Sequence, residues 1–124
     1  MRKLLLAAVL TLLAPASANA ATWIAACYDG KDLQYNQTLG GKGFLYLQMG
    51  NGDFQGVPLI QQSADANVVC SVVDDHPKPG AAHYLKVCAD MSENTITLTY
   101  KDPTGKEPPI DGSTPYCKAA VTVH

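Results

Sequence analysis

The sequence predicts an all-β domain: a small antiparallel sandwich or partly closed barrel of about seven short strands with two disulfides. Three observations lead to this fold class. Apolar residues recur with a period of two along most of the chain. Gly, Pro, Asn and Asp separate the alternating runs, as turn chemistry requires. The cysteine count is four, an even number, which suits a disulfide framework in a small exported domain.

The alternating runs define the elements in order. Gly50, Asn51 and Gly52 supply the tight turn of a central hairpin, and Asn94 supplies the turn before the sixth strand. Pro58 lacks an N–H group, which predicts a sheet edge at the end of the third strand. Two segments, 28–39 and 61–66, are expected to hold irregular helical turns. The expected strands are 22–27, 43–49, 53–60, 67–73, 84–91, 95–101 and 116–123.

The expected core follows from the same alternation. Phe44 and Tyr46 lie on one face of a strand, and Leu45 and Leu47 lie on the other. Two apolar faces predict a central strand that is covered on both sides, with a binding role for one face as the alternative. The core residues expected are Trp23, Phe44, Leu45, Tyr46, Leu47, Val68, Val72, Leu85, Val87, Ile96, Leu98 and Val121.

The first twenty residues have the pattern of a secretory signal peptide. Arg2 and Lys3 precede an apolar run over residues 4–13, which only Thr11 interrupts. Ala18 and Ala20 then form the small-x-small pattern that signal peptidase cleaves. We therefore expect residues 1–20 to be a signal peptide and residues 21–124 to be a single β domain. The expected location is the periplasm, with full secretion as the alternative.

Charge excludes one class of partner. Cleavage after Ala20 leaves seven Lys and no Arg against 11 Asp and Glu, a net charge near −4. Nucleic-acid binding needs a basic surface, so a nucleic-acid partner is not expected. A membrane span is not expected either, because no stretch of the mature chain approaches about 20 apolar residues.

Two disulfide patterns compete. Cys70 and Cys88 lie almost symmetrically about the loop 74–83, which favours a hairpin bridge and leaves Cys27 to pair with Cys117. The alternation of side chains between the two faces of each strand, here called parity, instead pairs Cys70 with Cys117 and Cys27 with Cys88. The nested 27–117 and 70–88 pattern is slightly preferred, because bulges shift parity easily.

The candidate binding residues lie in two proline-rich loops. The first loop, 74–83, contains His76, Pro77 and Lys78, and the second, 101–115, contains four prolines and Lys106. Proline fixes φ and lowers the entropy lost on binding. Stiff loops on a disulfide-tied scaffold are typical of recognition modules, although prolines also stiffen loops that have no partner.

No residue set for catalysis stands out. The mature serines lack the sequence of a nucleophile elbow, and the two glutamates, Glu93 and Glu107, lie in turn-like segments. We therefore expect no enzymatic activity and no cofactor. His76 and His83 flank an aspartate-containing loop, which leaves a small metal site as a minor alternative.

These observations favour a small exported binding or inhibitor protein. Its expected partner is another protein, such as a cell-wall hydrolase or a toxin. The alternative is a structural or surface-interaction subunit of the cell envelope, because a β domain with an exposed edge can extend by strand addition. A metal-binding protein that uses His76 and His83 is the second alternative.

The signal-peptide interpretation predicts that the exported protein begins at Ala21. Intact mass spectrometry of the protein from the periplasmic fraction should give the mass of residues 21–124 with both disulfides formed. A mass that includes residues 1–20 would contradict the prediction.

Overall fold

The computed structural model describes residues 20–48, 54–75 and 82–124. This part of the chain is all-β, as predicted, and contains nine strands. None of its segments forms a helix with the length and apolar character needed to cross a membrane. The strands are β1 (Thr22–Cys27), β2 (Leu33–Thr38), β3 (Lys42–Gln48), β4 (Phe54–Ala64), β5 (Val68–Val73), β6 (Leu85–Asp90), β7 (Thr95–Tyr100), β8 (Ile110–Asp111) and β9 (Cys117–Val123).

The strands form a closed antiparallel barrel. From β1 to β7 each strand pairs with the next along the chain, and β9 returns to pair with both β1 and β7. Eight strands thereby form a closed sheet, and the two-residue β8 pairs with Thr99 and Tyr100 at the end of β7. Of the two architectures expected from the sequence, the structure is the barrel, and it is fully closed. Closure leaves no long free edge.

The barrel interior is filled by alternate residues of every strand. Leu33, Tyr35 and Gln37 of β2 are buried, whereas the residues between them are more accessible. The same alternation holds in β6 and β7, where Val87, Ile96 and Leu98 are almost fully buried. Period-two burial of this kind is what a small barrel packed with side chains requires.

Two segments expected to be helical turns are strands. Residues 28–39 contain β2, and residues 61–66 begin with the end of β4, which runs on to Ala64. In β2 a glutamine, Gln37, occupies an inward position, and this hides the alternation from a hydrophobicity pattern. In β4 the register shifts between Gln61 and Ser63, a bulge that interrupts the period of two.

Phe44 and Tyr46 are not core residues, contrary to the sequence-based expectation. Their side chains are 42% and 41% exposed on the outer face of β3, where the rings stack with centroids 6.3 Å apart. Leu45 lies on the inner face and is fully buried. Phe44 and Tyr46 are thus on the face for which the sequence left open a binding role.

Pro58 does not mark a free sheet edge. It pairs with Phe44 on one side, and its carbonyl accepts a hydrogen bond from the Asp74 N–H at 3.3 Å on the other. The β4–β5 ladder begins one residue further on, at Leu59 and Val73. Pro58 therefore lies beyond the end of the β4–β5 ladder, so its lack of an N–H group removes no hydrogen bond from that ladder.

Both disulfides follow the preferred nested pattern. Cys27 pairs with Cys117 across β1 and β9, with the two Cα atoms 5.7 Å apart. Cys70 and Cys88 are directly opposite each other in the β5–β6 ladder and form the second bond. Parity misled because Cys70 shares its apolar strand face with Val72, and this face is opposite the more polar face of β6 that carries Cys88.

A chain of buried hydrogen bonds crosses the barrel interior. The Tyr35 hydroxyl donates to Ser71 Oγ (2.5 Å), and the Ser71 hydroxyl donates to Gln37 Oε1 (2.6 Å). Gln37 Nε2 then donates to the carbonyls of Thr38 and Gly41. Every N–H and O–H donor of these three side chains is used, so their burial carries little net penalty.

Gly43 makes room for this arrangement. It pairs with Gln37 in the β2–β3 ladder, and a Cβ atom at position 43 would collide with Gln37 Oε1 and with the Asn36 carbonyl. A side chain at position 43 would therefore displace the Gln37 amide from its hydrogen bonds.

Removing the middle member of this chain should be costly. In Ser71→Ala, the Tyr35 hydroxyl and Gln37 Oε1 both lose their buried partner, so we expect the free energy of unfolding to fall by about 2–4 kcal/mol. Urea denaturation measures the change. Ser63→Ala is the matched control, because Ser63 is an exposed strand serine and should change stability by less than about 0.5 kcal/mol. Equal effects of the two variants would contradict the role assigned to the buried chain.

Alkaline pH should destabilise the fold through Tyr35. Burial raises the pKa of Tyr35 from 10.0 to about 12, and the hydrogen bond to Ser71 offsets only part of this. Between these two pH values the unfolded chain loses the phenolic proton and the folded chain keeps it, so stability falls as pH rises, by about 1.4 kcal/mol per pH unit for this group. Urea denaturation from pH 9 to 12 should show a shallower decline in Tyr35→Phe. An identical decline would contradict the prediction.

Candidate functional site

The two ends of the barrel are built differently. At one end the connections are tight turns over residues 39–41, 65–67 and 91–94. At the other end, here called the mouth, the connections described in full are longer and span residues 28–32 and 101–109. Because long connections on a rigid scaffold are where binding residues concentrate, the mouth is the end at which a site is expected.

A cavity of about 830 Å³ opens at the mouth. Its wall is formed by inward-facing aliphatic residues from the mouth ends of β3 to β7, and by the proline-rich segment that follows β7. Val73, Leu85 and Leu98 are themselves buried, so this part of the wall is packed against the core. The lining residues include Val73, Tyr84, Leu85, Leu98, Tyr100 and Glu107.

Two tyrosines form the aromatic part of the wall. Tyr84 precedes β6 and Tyr100 ends β7, and their rings meet edge to face with centroids 6.4 Å apart and planes at 75°. The Lys101 N–H donates to the Tyr84 carbonyl at 2.9 Å, which holds the two strand ends together. Both side chains are half-buried and pack against the core cluster. The pair therefore offers ring surface to the cavity from a fixed position.

Asp102 organises the segment that follows Tyr100. Its carboxylate accepts hydrogen bonds from the Thr104 N–H and hydroxyl, and from the N–H groups of Lys106 and Glu107 at 3.1 and 2.9 Å. These bonds, led by the one from the Thr104 N–H, lower the pKa of Asp102 below its usual value. Gly105 completes the turn with φ +74°, a left-handed conformation that suits glycine. The exposed segment that carries Glu107 is therefore ordered by its own hydrogen bonds.

The charged residues of the cavity wall are acidic. Among the described residues, Asp74, Asp75 and Glu107 line the cavity. Asp75 is paired with His83, with Oδ1 and Nδ1 2.5 Å apart. Burial raises the pKa of Tyr100, and the negative charges of Asp102 and Glu107 raise it further. Tyr100 is therefore neutral at physiological pH and lies within the field of the Glu107 carboxylate.

Tyr116, which directly precedes β9, also lines the cavity. Lys31 Nζ lies 4.9 Å from the centre of the Tyr116 ring and donates to the Tyr116 carbonyl at 3.1 Å. Burial raises the pKa of Tyr116, as does the nearby charge of Asp29. The cavity wall thus already contains one contact between an ammonium group and an aromatic ring.

The structure describes only some of the candidate binding residues that were singled out from the sequence. His76, Pro77 and Lys78 lie outside the described residues, so the structure tests neither the expected partner contact nor a metal site that uses His76. Lys106 is exposed, and its N–H group is bound by Asp102, but the residue does not line the cavity. In residues 20–48, 54–75 and 82–124 no three His, Cys, Asp or Glu side chains are grouped as a metal site would require.

Sequence reasoning missed the tyrosine pair and Glu107. Tyr84 and Tyr100 were assigned only to strand ends, and their proximity follows from the β6–β7 register, in which Leu85 is opposite Tyr100. One signal was present: the second proline-rich loop was identified as a contact surface, and Pro103, Pro108 and Pro109 from it line the cavity. Lys106, the residue singled out in this loop, stays a prediction.

Comparison of the chain with protein-family models, with curated proteins and with solved structures found no significant match.

Proposed function

We propose that this protein is a non-catalytic binding protein whose mouth cavity holds one small ligand with a largely apolar body. The observation that carries the proposal is the cavity itself, at about 830 Å³, with its aliphatic and tyrosine wall. Small-molecule sites are mostly apolar clefts of about 300–1,000 Å³ with a few polar groups. Eight-stranded barrels are also just wide enough to hold one small ligand at an open end.

The construction of the wall supports a site that exists before the ligand arrives. Val73, Leu85 and Leu98 belong to the barrel strands, and the edge-to-face contact holds Tyr84 against Tyr100. A wall that is already positioned loses little conformational entropy on binding. This property favours a ligand of defined shape over a surface that reorganises for many partners.

The proposed compartment is the periplasm or the exterior of the cell. The two disulfides are compatible with such a location, because thiols are kept reduced in the cytosol. The signal-peptide pattern of residues 1–20 adds the finer assignment to the periplasm. In that compartment a binding protein would sequester or carry its ligand.

A protein partner, such as a cell-wall hydrolase or a toxin, is the second candidate. The observation that favours it is the stacked Phe44–Tyr46 pair, which is about two-fifths exposed on the barrel wall. Exposed aromatic residues are enriched at protein interfaces. This surface is on the outer face of β3, separate from the cavity.

Truncation of one ring tests the proposed ligand site. Tyr84→Ala removes half of the aromatic pair, and we expect the affinity for the neutral fluorescent probe N-phenyl-1-naphthylamine to fall about fivefold, since such a ring contributes about 1 kcal/mol. Fluorescence titration gives the dissociation constants.

Tyr28→Ala is the matched control, because Tyr28 is 63% exposed and does not line the cavity. It should leave the affinity unchanged. The double variant Phe44→Ala/Tyr46→Ala should also bind the probe normally. Probe binding that is lost in the double variant and kept in Tyr84→Ala would overturn the assignment of the site to the mouth.

A further inference from the structure

We propose that the ligand of the mouth cavity is a cation, a primary or quaternary amine attached to the apolar body. This inference rests on the proposed function and specifies the chemical class of the ligand. It is carried by the position of the Tyr84–Tyr100 pair beside the Glu107 carboxylate in a wall whose charged residues, in the described part of the chain, are acidic.

The tyrosine pair favours positive charge through its ring faces. An ammonium group within about 6 Å of a ring centre is attracted by the negative face of the ring. In the edge-to-face pair the edge of one ring covers part of the face of the other, and both tyrosines line the cavity with the ring surface that is left. The Lys31 ammonium over Tyr116 is the same kind of contact, made by the protein itself at another residue of the cavity wall.

Glu107 supplies the countercharge. The Asp102 hydrogen bonds to the N–H groups of Lys106 and Glu107 fix the backbone at this point, and Glu107 lines the same cavity as the two tyrosines. Beside burial and the Asp102 charge, the Glu107 charge raises the pKa of Tyr100. Asp75 contributes less, because His83 lies against it. A carboxylate beside aromatic rings is the combination that stabilises an amine in a partly dry site.

An anionic ligand of the same size is disfavoured by the same groups. A second negative charge near Glu107 would be repelled, and the Lys31 ammonium group is already bound to Tyr116. The mature chain, with seven Lys against 11 Asp and Glu, adds a long-range field of the same sign. The apolar wall alone would bind anionic and cationic ligands of this size equally. The charges around the cavity therefore determine which of the two is preferred.

Three probes of one chain length test the inference: octylammonium, octanol and octanoate. Isothermal titration calorimetry at pH 7 and low salt should give octylammonium the highest affinity, octanol an intermediate one, and octanoate an affinity at least about tenfold below that of octylammonium. Amide shifts measured by NMR should change at Tyr100 and Ile110, which both line the cavity.

The two glutamates of the chain provide a matched pair of variants. Glu107→Gln should lower octylammonium affinity about three- to tenfold and leave octanol affinity unchanged. Glu93→Gln removes the same charge at the opposite end of the barrel, in the β6–β7 turn, and should change neither. Both side chains are exposed, so both variants should keep the melting temperature of the parent.

The possible failures are distinguishable. If octanol binds and octanoate binds as tightly as octylammonium, the cation preference is overturned and the proposed function stands. An equal loss in Glu93→Gln and Glu107→Gln would overturn the role of the mouth carboxylate. If none of the three probes binds, the proposed function fails and the inference fails with it.

Discussion

The barrel depends on a short seam between β7 and β9. β9 pairs with β1 along five consecutive residues, from Trp23–Val123 to Cys27–Ala119. Its ladder with β7 consists only of Thr95–Lys118 and Ile96–Cys117. The Cys27–Cys117 disulfide joins β1 to β9 at this point, and it stabilises the closed form by restricting the unfolded chain. Closure of the sheet therefore rests on the short β7–β9 ladder, while the disulfide holds the start of β9 against β1.

The shortness of that seam also explains where the cavity lies. The β7–β9 ladder extends only as far as Ile96, so β9 does not cover the last residues of β7. Ile110 of β8 pairs with Tyr100 at this free edge. The chain then needs residues 101–116 to pass from β7 through β8 to β9, and these residues form one side of the mouth. A full β7–β9 ladder would have covered the edge that β8 occupies. The constraint on closure thus creates the opening.

Much of the fold was predictable because its causes are local. Period-two alternation identified seven of the nine strands, and the symmetry of Cys70 and Cys88 about their loop indicated the hairpin bridge. β2 was missed because its inward Gln37 is polar, and it is satisfied by Ser71, a residue 34 positions away. The outward position of Phe44 was missed because alternation defines two faces of a strand without showing which one is covered.

The candidate site was less predictable because it is made by register and closure. Tyr84 and Tyr100 are sixteen positions apart in the sequence, and only the β6–β7 ladder brings them together. The buried chain from Tyr35 through Ser71 to Gln37 fixes the packed interior with hydrogen bonds that solvent does not reach. The half-buried tyrosines of the mouth carry no such bond in the described residues. The packed interior and the open end of the barrel are therefore held by different interactions, buried hydrogen bonds in the one and ring packing in the other.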